Sequence, residues 1–323
     1  MSILEVKNLN LGFQCEDMFR QALYDVSFSL EKGKMLAIVG ESGCGKTMSA
    51  MSILNLIPKT AKITSGKIFF HKEDLLQKSQ KEMQNVRGSK IALIPQDPMT
   101  SLNPLYTVGD QLLEILKIHQ NLQGDEATKK AIEAFEAVQI PSAKTRLKNY
   151  PHEFSGGMKQ RAIIAMALAC NAEILIADEP TTALDVTIQA QIMNLLNEIK
   201  TNNKTSILLI THDLALVSEN ADKIAVMYAG RIIENAPNKE FFSNPNHPYS
   251  KALLNSLPAN NKVKLQTIEG QPPTLSQEIN GCKFHPRCKN CMEICTQKIP
   301  QLIKINTTHS SACFLNNNED LPV

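Results

Sequence analysis

The sequence predicts an α/β fold, and two observations support that prediction. Short apolar runs rich in β-branched residues alternate with longer stretches of helical spacing, which is typical of a largely parallel sheet with helices on its faces. A glycine-rich turn also joins one of these runs to a helical stretch. The runs that we interpret as buried strands are Met35–Val39, Ile91–Ile94, Ile174–Ala177 and Ile207–Ile210.

Other patterns complete the predicted core. Lys67–Phe70 follows the turn signal Ser65-Gly66 and is predicted to be a half-exposed strand. Strand signals are absent over residues 103–169, which predicts a helical subdomain inserted into the α/β core. Helical spacing predicts helices at Thr47–Ile57, Gly109–His119, Ala127–Val138 and Asp185–Lys200.

Proline-rich breaker clusters divide the chain. They lie at residues 244–248 and 270–273, where regular elements tend to end. We therefore expect a main domain over residues 1–243 and a small, cysteine-rich C-terminal extension over residues 244–323.

Composition excludes several classes of protein. A hydrophobic fraction of 43% supplies a core, and a net charge of +2 argues against nucleic acid as the partner. The longest apolar runs, such as Ala162–Cys170, fall well short of the roughly 18 residues that span a bilayer. The first residues lack the apolar segment of a signal peptide. We expect a soluble, cytosolic chain whose clustered cysteines bind metal rather than form disulfides.

Residues 40–47 form a candidate phosphate loop. They match the P-loop pattern G-x-x-x-x-G-K-[ST] at every position, between a predicted strand and a predicted helix. Such a loop turns its backbone N–H groups towards phosphate oxygens, and the helix N-terminus favours the anion. Lys46 would reach the β- and γ-phosphates, and the Thr47 hydroxyl would bind Mg²⁺. The expected ATP contacts are Gly40, Glu41, Ser42, Gly43, Cys44, Gly45, Lys46 and Thr47.

A second motif supplies carboxylates. The apolar run Ile174–Ala177 ends in Asp178 and Glu179, which a parallel strand would deliver to the ligand-binding edge of the sheet. Asp178 is suited to hold Mg²⁺, directly or through water, and Glu179 to polarise the attacking water.

Residues 154–161 read Phe-Ser-Gly-Gly-Met-Lys-Gln-Arg. They resemble the signature motif of the ATP-binding cassette (ABC) ATPases, usually Leu-Ser-Gly-Gly-Gln. Three further matches stand in that family's order: Gln96, the triplet Ala183-Leu184-Asp185, and His212 after its strand. Phe154 and Met158 depart from the common signature, although the serine and both glycines remain.

The resemblance implies a P-loop NTPase core and a head-to-tail dimer with two ATP molecules at its interface. Ser155, Gly156 and Gly157 would start a helix that faces the partner's ATP, and Asp185 would lie at the same interface. The resemblance also implies that Gln96 senses Mg²⁺ and the γ-phosphate, and that His212 contacts the γ-phosphate.

An aromatic side chain stacks on adenine in that family. Phe19 and Phe13 are both candidates here, and closeness to Ala22-Leu23 favours Phe19.

Other segments resemble the ATP-binding subunits of dipeptide/oligopeptide-type ABC importers over nearly the whole chain. They are residues 96–104, 150–153, 178–189, 247–249 and 252–254. The resemblance implies two transmembrane permease subunits, a second homologous ATPase and an extracytoplasmic peptide-binding protein. It places the chain at the cytoplasmic side of the membrane as a peripheral subunit. The helical subdomain would dock on a permease.

Five of the eight cysteines cluster between residues 282 and 313. Their spacing suits Zn²⁺ or an iron–sulfur cluster and does not decide between them. The subfamily pattern implies a [4Fe–4S] cluster on Cys282, Cys288, Cys295 and Cys313. Cys291 is an additional cysteine that could replace a neighbour or stay a free thiol.

Two further expectations concern function. Cys44 lies near a helix N-terminus, which would lower the pKa of its thiol and make it sensitive to alkylation. Related machinery imports nickel complexes or antimicrobial peptides, and a soluble ABC ATPase of DNA repair or translation is the alternative class. The chain lacks the long coiled coil or second cassette of that class.

Overall fold

A computed structural model describes residues 1–16, 18–182, 184–257 and 268–316. Strands occupy Ser2–Cys15 (β1), Met18–Glu31 (β2), Met35–Val39 (β3), Ala61–Phe70 (β4), Glu73–Asp74 (β5), Ile91–Ile94 (β6), Ile174–Asp178 (β7), Ser206–Thr211 (β8), Lys223–Tyr228 (β9), Arg231–Pro237 (β10), Ile303–Lys304 (β11) and Ser310–Ser311 (β12).

Helices occupy Lys46–Ile53 (α1), Gln80–Val86 (α2), Pro98–Ser101 (α3), Val108–Gln120 (α4), Gly124–Ala137 (α5), Ala143–Arg146 (α6), Gly156–Ala169 (α7), Val186–Asn203 (α8), Leu214–Asn220 (α9), Asn238–Ser243 (α10), Pro248–Asn255 (α11) and Glu293–Gln297 (α12). Single 3₁₀ turns lie at Leu75–Gln77, Pro151–Glu153, His285–Arg287 and Phe314–Asn316.

The chain forms two compact units. The P-loop unit comprises residues 1–31 and 35–76 and the chain from Thr211 onward, and the helical unit comprises residues 32–34 and 77–210. The elements that carry the predicted site are divided between them.

The P-loop unit begins with an antiparallel sheet in the order β2-β1-β4-β5. The sequence patterns did not predict β1 and β2, whose alternation of apolar and polar residues is interrupted by register shifts. They also treated Ser65-Gly66 as a turn, which is wrong because both residues lie inside β4. Gly66 has a φ of 111° beside a register shift against β1, so the glycine allows a bulge instead of ending the strand.

The P-loop unit also holds the strand that precedes the phosphate loop. β3 is buried at all five positions and pairs in parallel with β9, which pairs antiparallel with β10. β12 then pairs with β10, and β11 with β12.

A buried hydrogen bond between side chains reinforces the pairing of β10 with β12. His309 Nε2 donates to Oε1 of Glu234 on β10 at 2.8 Å, and both side chains are fully buried. The Glu234 carboxylate also accepts the backbone N–H groups of Asn246 and His247, at 2.7 and 2.8 Å.

The helical unit has three parallel strands in the order β8-β7-β6. The predicted strands Ile91–Ile94, Ile174–Ala177 and Ile207–Ile210 are confirmed within one residue at each end. The predicted helices of the insertion are confirmed as α4 and α5, which pack against each other and against α7. Thr107 and Asp110 form a capping box that fixes the start of α4.

Within the described ranges, no helix combines the length and apolar character needed to cross a bilayer.

Candidate functional site

The phosphate loop depends on glycines in the left-handed region. Gly40, Gly43 and Gly45 have φ values of 157°, 78° and 108°. A Cβ on Gly40 would lie 2.2 Å from the Met227 carbonyl oxygen, and one on Gly45 would lie 2.6 Å from Leu23 Cδ2. Gly45 is the N-cap of α1 and has no side chain to accept from the first N–H groups of the helix, where anions bind favourably.

Lys46 is held inside this loop. It is 4% exposed, and its Nζ donates to the carbonyl oxygens of Gly40 at 2.8 Å and Glu41 at 3.0 Å. The ammonium therefore lies among the loop's backbone groups, and half-buried Thr47 follows it on α1. Ser42 and Gly43 are exposed.

Glu41 is fixed by residues from the C-terminal part of the chain. Its carboxylate accepts from Arg287 Nη1 at 2.6 Å and Nη2 at 3.0 Å. Its backbone N–H donates to Tyr249 Oη at 3.0 Å. Neither contact was visible from sequence motifs.

The expectation for Cys44 is wrong. The residue is 6% exposed, and burial raises the pKa of its thiol above the ordinary value, against the opposing effect of Lys46. Desolvation therefore outweighs the effects that lower the pKa, and a smaller fraction of this thiol is ionised than in an exposed cysteine.

A cavity of about 360 Å³ opens beside the phosphate loop. Residues 41–44 form one wall, and Gln21, Ala22 and Tyr24 of β2 form another. The remaining lining comes from residues 228–230, Pro272–Leu275, Gln277 and Lys283.

The two candidates for stacking on adenine, Phe13 on β1 and Phe19 on β2, do not line this cavity. Phe19 is 44% exposed and lies over Gly12, and it is not among the residues that line this cavity. Phe13 is half-buried on β1 opposite Arg20.

In the helical unit, Glu179 meets two polar partners. Gln96 Nε2 donates to Glu179 Oε2 at 3.0 Å, and Thr182 Oγ1 donates to the same oxygen at 2.9 Å. Glu179 has a φ of 46°, and its N–H donates to the Ile210 carbonyl at 2.8 Å. Asp178, at the end of β7, is 1% exposed. Sequence motifs identified Gln96 and Glu179 but missed Thr182, three positions after Glu179.

The signature loop is also a helix start. Ser155 is the N-cap of α7, and its Oγ accepts from the Met158 N–H at 3.3 Å. A Cβ on Gly157 would lie 3.1 Å from Ile188 Cγ2, whereas one on Gly156 would meet its first neighbour at 4.0 Å. Phe154 is buried, with its ring edge-on to Phe135 at 6.4 Å.

Two more predicted residues lie at helix starts. Asp185 is the N-cap of α8 and accepts from the Ile188 N–H at 3.0 Å, while Ala183 lies outside the described residues. His212 is exposed directly before Asp213, which caps α9.

The tail cysteines separate into two groups. Cys282, Cys288, Cys295 and Cys313 line one small cavity of about 10 Å³, whereas Cys291 is exposed and does not line it. Burial raises the pKa of Cys282 to about 11, and the neighbouring cysteines act in the same direction. Thiophilic metals prefer cysteine sulfur as a donor, and these four cysteines line the same cavity. Across residues 1–16, 18–182, 184–257 and 268–316, however, no group of three or more His, Cys, Asp or Glu side chains is placed to hold a metal ion.

Family models match two parts of the chain. The model described as "ABC transporter" matches residues 23–182, and the one described as "Oligopeptide/dipeptide transporter, C-terminal region" matches residues 233–295. The first includes the phosphate loop, the signature loop and both carboxylates, and the second ends at Cys295.

Relatives and solved structures support the same family assignment as the two family models. The chain is 48% identical to the dipeptide transport ATP-binding protein DppD of Bacillus subtilis, over 97% of this chain and 94% of that protein. It is 46% identical to the oligopeptide transport ATP-binding protein OppD of Escherichia coli, over 97% and 93%. A solved dimer of the ATP-binding cassette MJ0796 with ADP and Pi is 26% identical, with a TM-score of 0.66, over 73% of this chain and 98% of that one. This chain therefore belongs to the ABC ATPases, with the fold of a P-loop NTPase, and carries the C-terminal region of the oligopeptide/dipeptide transporter family.

Proposed function

We propose that this ABC ATPase drives the import of dipeptides or oligopeptides across the cytoplasmic membrane. The observation that carries the proposal is the match of residues 233–295 to the oligopeptide/dipeptide region, together with similarity to peptide-transport subunits over 97% of the chain. In this proposal, residues 1–243 are the ATPase domain, which includes the helical subdomain at residues 103–169. Residues 244–323 are the C-terminal extension.

The chain works as a peripheral subunit on the cytoplasmic side of the membrane. Its partners are two permeases, a second homologous ATPase and, through the complex, a peptide-binding protein. The dimeric state of the similar cassette MJ0796 supports the ATPase pair. The permeases dock on the helical subdomain.

ATP binding uses the phosphate loop, where Lys46 exchanges its carbonyl partners for the β- and γ-phosphates. Thr47, Asp178 and Gln96 hold Mg²⁺, which neutralises phosphate charge when bound. The aromatic partner of adenine is Phe19. Ser155, Gly156, Gly157 and Asp185 act on the ATP held by the partner ATPase.

Hydrolysis depends on Glu179, which Gln96 and Thr182 orient through one oxygen. The carboxylate takes a proton from water as the water oxygen bonds to the γ-phosphorus. The bond from that phosphorus to the β,γ-bridging oxygen breaks, and ADP leaves with the electron pair. His212 contacts the γ-phosphate and holds its position.

The tail cysteines Cys282, Cys288, Cys295 and Cys313 hold a [4Fe–4S] cluster, with Zn²⁺ as the alternative occupant. The shared cavity and the exposure of Cys291 support this set of four. A bound cluster would cross-link the tail and stabilise it. Anaerobic purification with iron and zinc analysis tests the proposal. Cys288→Ser should lose the metal and Cys291→Ser should keep it, whereas wild-type protein without either metal would refute the site.

The transport function is tested by purifying the chain with its membrane partners and measuring ATPase activity with peptides added. Dipeptides or oligopeptides should stimulate turnover through the binding protein. Stimulation by nickel complexes or antimicrobial peptides alone would assign the machinery to those substrates. Failure to co-purify with any integral-membrane subunit would overturn the transport function in favour of a soluble ABC ATPase.

A further inference from the structure

The phosphate loop carries a negative charge of its own. Glu41 is the second residue of the loop, and its side chain is 26% exposed. ATP binds such loops through negatively charged phosphates, so a carboxylate there opposes binding unless its charge is balanced. Lys46 already serves the phosphates in the proposed function and cannot balance both.

Arg287 supplies the balancing charge from the cysteine tail. Its guanidinium makes a bidentate pair with Glu41 at 2.6 and 3.0 Å, and its side chain is 5% exposed. Bidentate Arg–carboxylate pairs are stronger than neutral hydrogen bonds and fix the geometry of both groups. The arginine is anchored as well, because Nε donates to the Glu269 carbonyl at 3.0 Å.

Aromatic side chains support the same contact. Tyr228 Oη accepts from Arg287 Nη1 at 3.3 Å, and Tyr249 Oη accepts the Glu41 N–H at 3.0 Å. The two tyrosine rings and Phe284 pack with centroids 4.6 to 5.3 Å apart. The carboxylate and the backbone of Glu41 are thus held at once by residues more than 200 positions away.

We propose that Arg287 is a positioning residue for ATP binding, which neutralises Glu41 and fixes the first turn of the phosphate loop. The tail therefore completes the nucleotide site. The proposal rests on ATP binding at the phosphate loop, and it is independent of the transported substrate.

The test measures MgATP affinity of the full chain by titration calorimetry. Arg287→Gln should weaken binding on the order of tenfold at low salt, since an unpaired carboxylate then repels the phosphates. The double variant Glu41→Gln/Arg287→Gln should recover most of that loss. The defect of the single variant should shrink at high salt because the repulsion is screened. Arg287→Lys, which keeps the charge but loses the bidentate geometry, should fall in between.

Lys289→Gln is the matched control. It removes a positive charge from the same tail, but Lys289 is 77% exposed and pairs with exposed Glu269 at 3.7 Å, so affinity should stay at the wild-type value. Melting temperatures of all variants separate positioning from folding. If Arg287 only supported the fold, the double variant would bind MgATP no better than Arg287→Gln, and salt would not change the loss of affinity in Arg287→Gln. Either result, or wild-type affinity in a folded Arg287→Gln, overturns the proposal. Absence of peptide-stimulated turnover in the wild type would instead overturn the import function alone.

Discussion

The phosphate loop at residues 40–47 and the signature loop at residues 154–157 both lead into a helix, but the two helix starts differ. Before α1, Gly45 takes a φ of 108° and offers no side chain to the helix N–H groups. Before α7, Ser155 has an extended backbone, and its hydroxyl accepts the Met158 N–H. The first helix start thus lacks a side-chain cap, and the second has one.

The difference separates two ways to make an anion site at a helix start. The phosphate loop relies on backbone geometry and on Lys46, and its neighbours at Met227 and Leu23 leave no room for larger residues at Gly40 and Gly45. The signature loop relies on a serine cap that any ordinary helix could use. We therefore expect substitution of Gly40, Gly45 or Lys46 in the first loop to weaken ATP binding more than substitutions in the second loop do.

The largest effect is expected at Glu179, the carboxylate proposed to act as the base in hydrolysis. Glu179→Gln should leave ATP binding intact and reduce hydrolysis about 1,000-fold, because the amide cannot accept the proton of water. Single-turnover assays with labelled ATP check this at the site where this chain supplies the phosphate loop. Wild-type turnover in a complex whose partner site is also disabled would exclude Glu179 as the essential base.

Lys46→Ala should weaken MgATP binding about 100-fold, since a charge-assisted contact to the phosphates is lost. Calorimetric titration of the full chain measures the affinity. Lys159→Ala removes a buried lysine from the start of α7 and serves as a comparison, since it should leave this affinity far less affected. Equal losses in the two variants would remove the distinction between the loops.

Ser155→Ala should cost about 1 kcal/mol of unfolding free energy through the lost cap. It should slow ATP hydrolysis in the assembled complex on the order of tenfold, as expected for one hydrogen bond to a charged group. Denaturant unfolding and turnover measure the two effects separately. A stability loss without any change in turnover would reduce Ser155 to a helix cap.

The smallest effect is expected for thiol reagents at the phosphate loop. Cys44 should react more than about tenfold more slowly than exposed Cys15, because its thiol is buried and its pKa is raised. Mass spectrometry after timed alkylation of the native chain gives both rates. Rapid labelling of Cys44 would show that the loop opens in solution.

Local sequence patterns predicted the fold correctly where a motif lies next to the strand or helix that carries it. The predicted strand Met35–Val39 is confirmed at both ends, and α7 starts at Gly156, within the three residues that the signature motif predicts as a helix start. The raised pKa of Cys44 could not be predicted, since it depends on burial of the thiol in the folded chain, where residues distant in sequence such as Gly230 contact Cys44. The Glu41–Arg287 pair joins residues 246 positions apart, and no local spacing signals such a contact.

The buried pair of Glu234 and His309 joins residues that are 75 positions apart in the chain. β10 is complete at Pro237, but the strand that pairs with it and the histidine that meets Glu234 lie more than 70 residues later. During synthesis, the edge of β10 and the Glu234 carboxylate therefore lack β12 and His309 until residues 303–311 have been made. An unpaired strand edge is a site for pairing with other chains, so the pairing of β12 with β10 protects this sheet from such contacts.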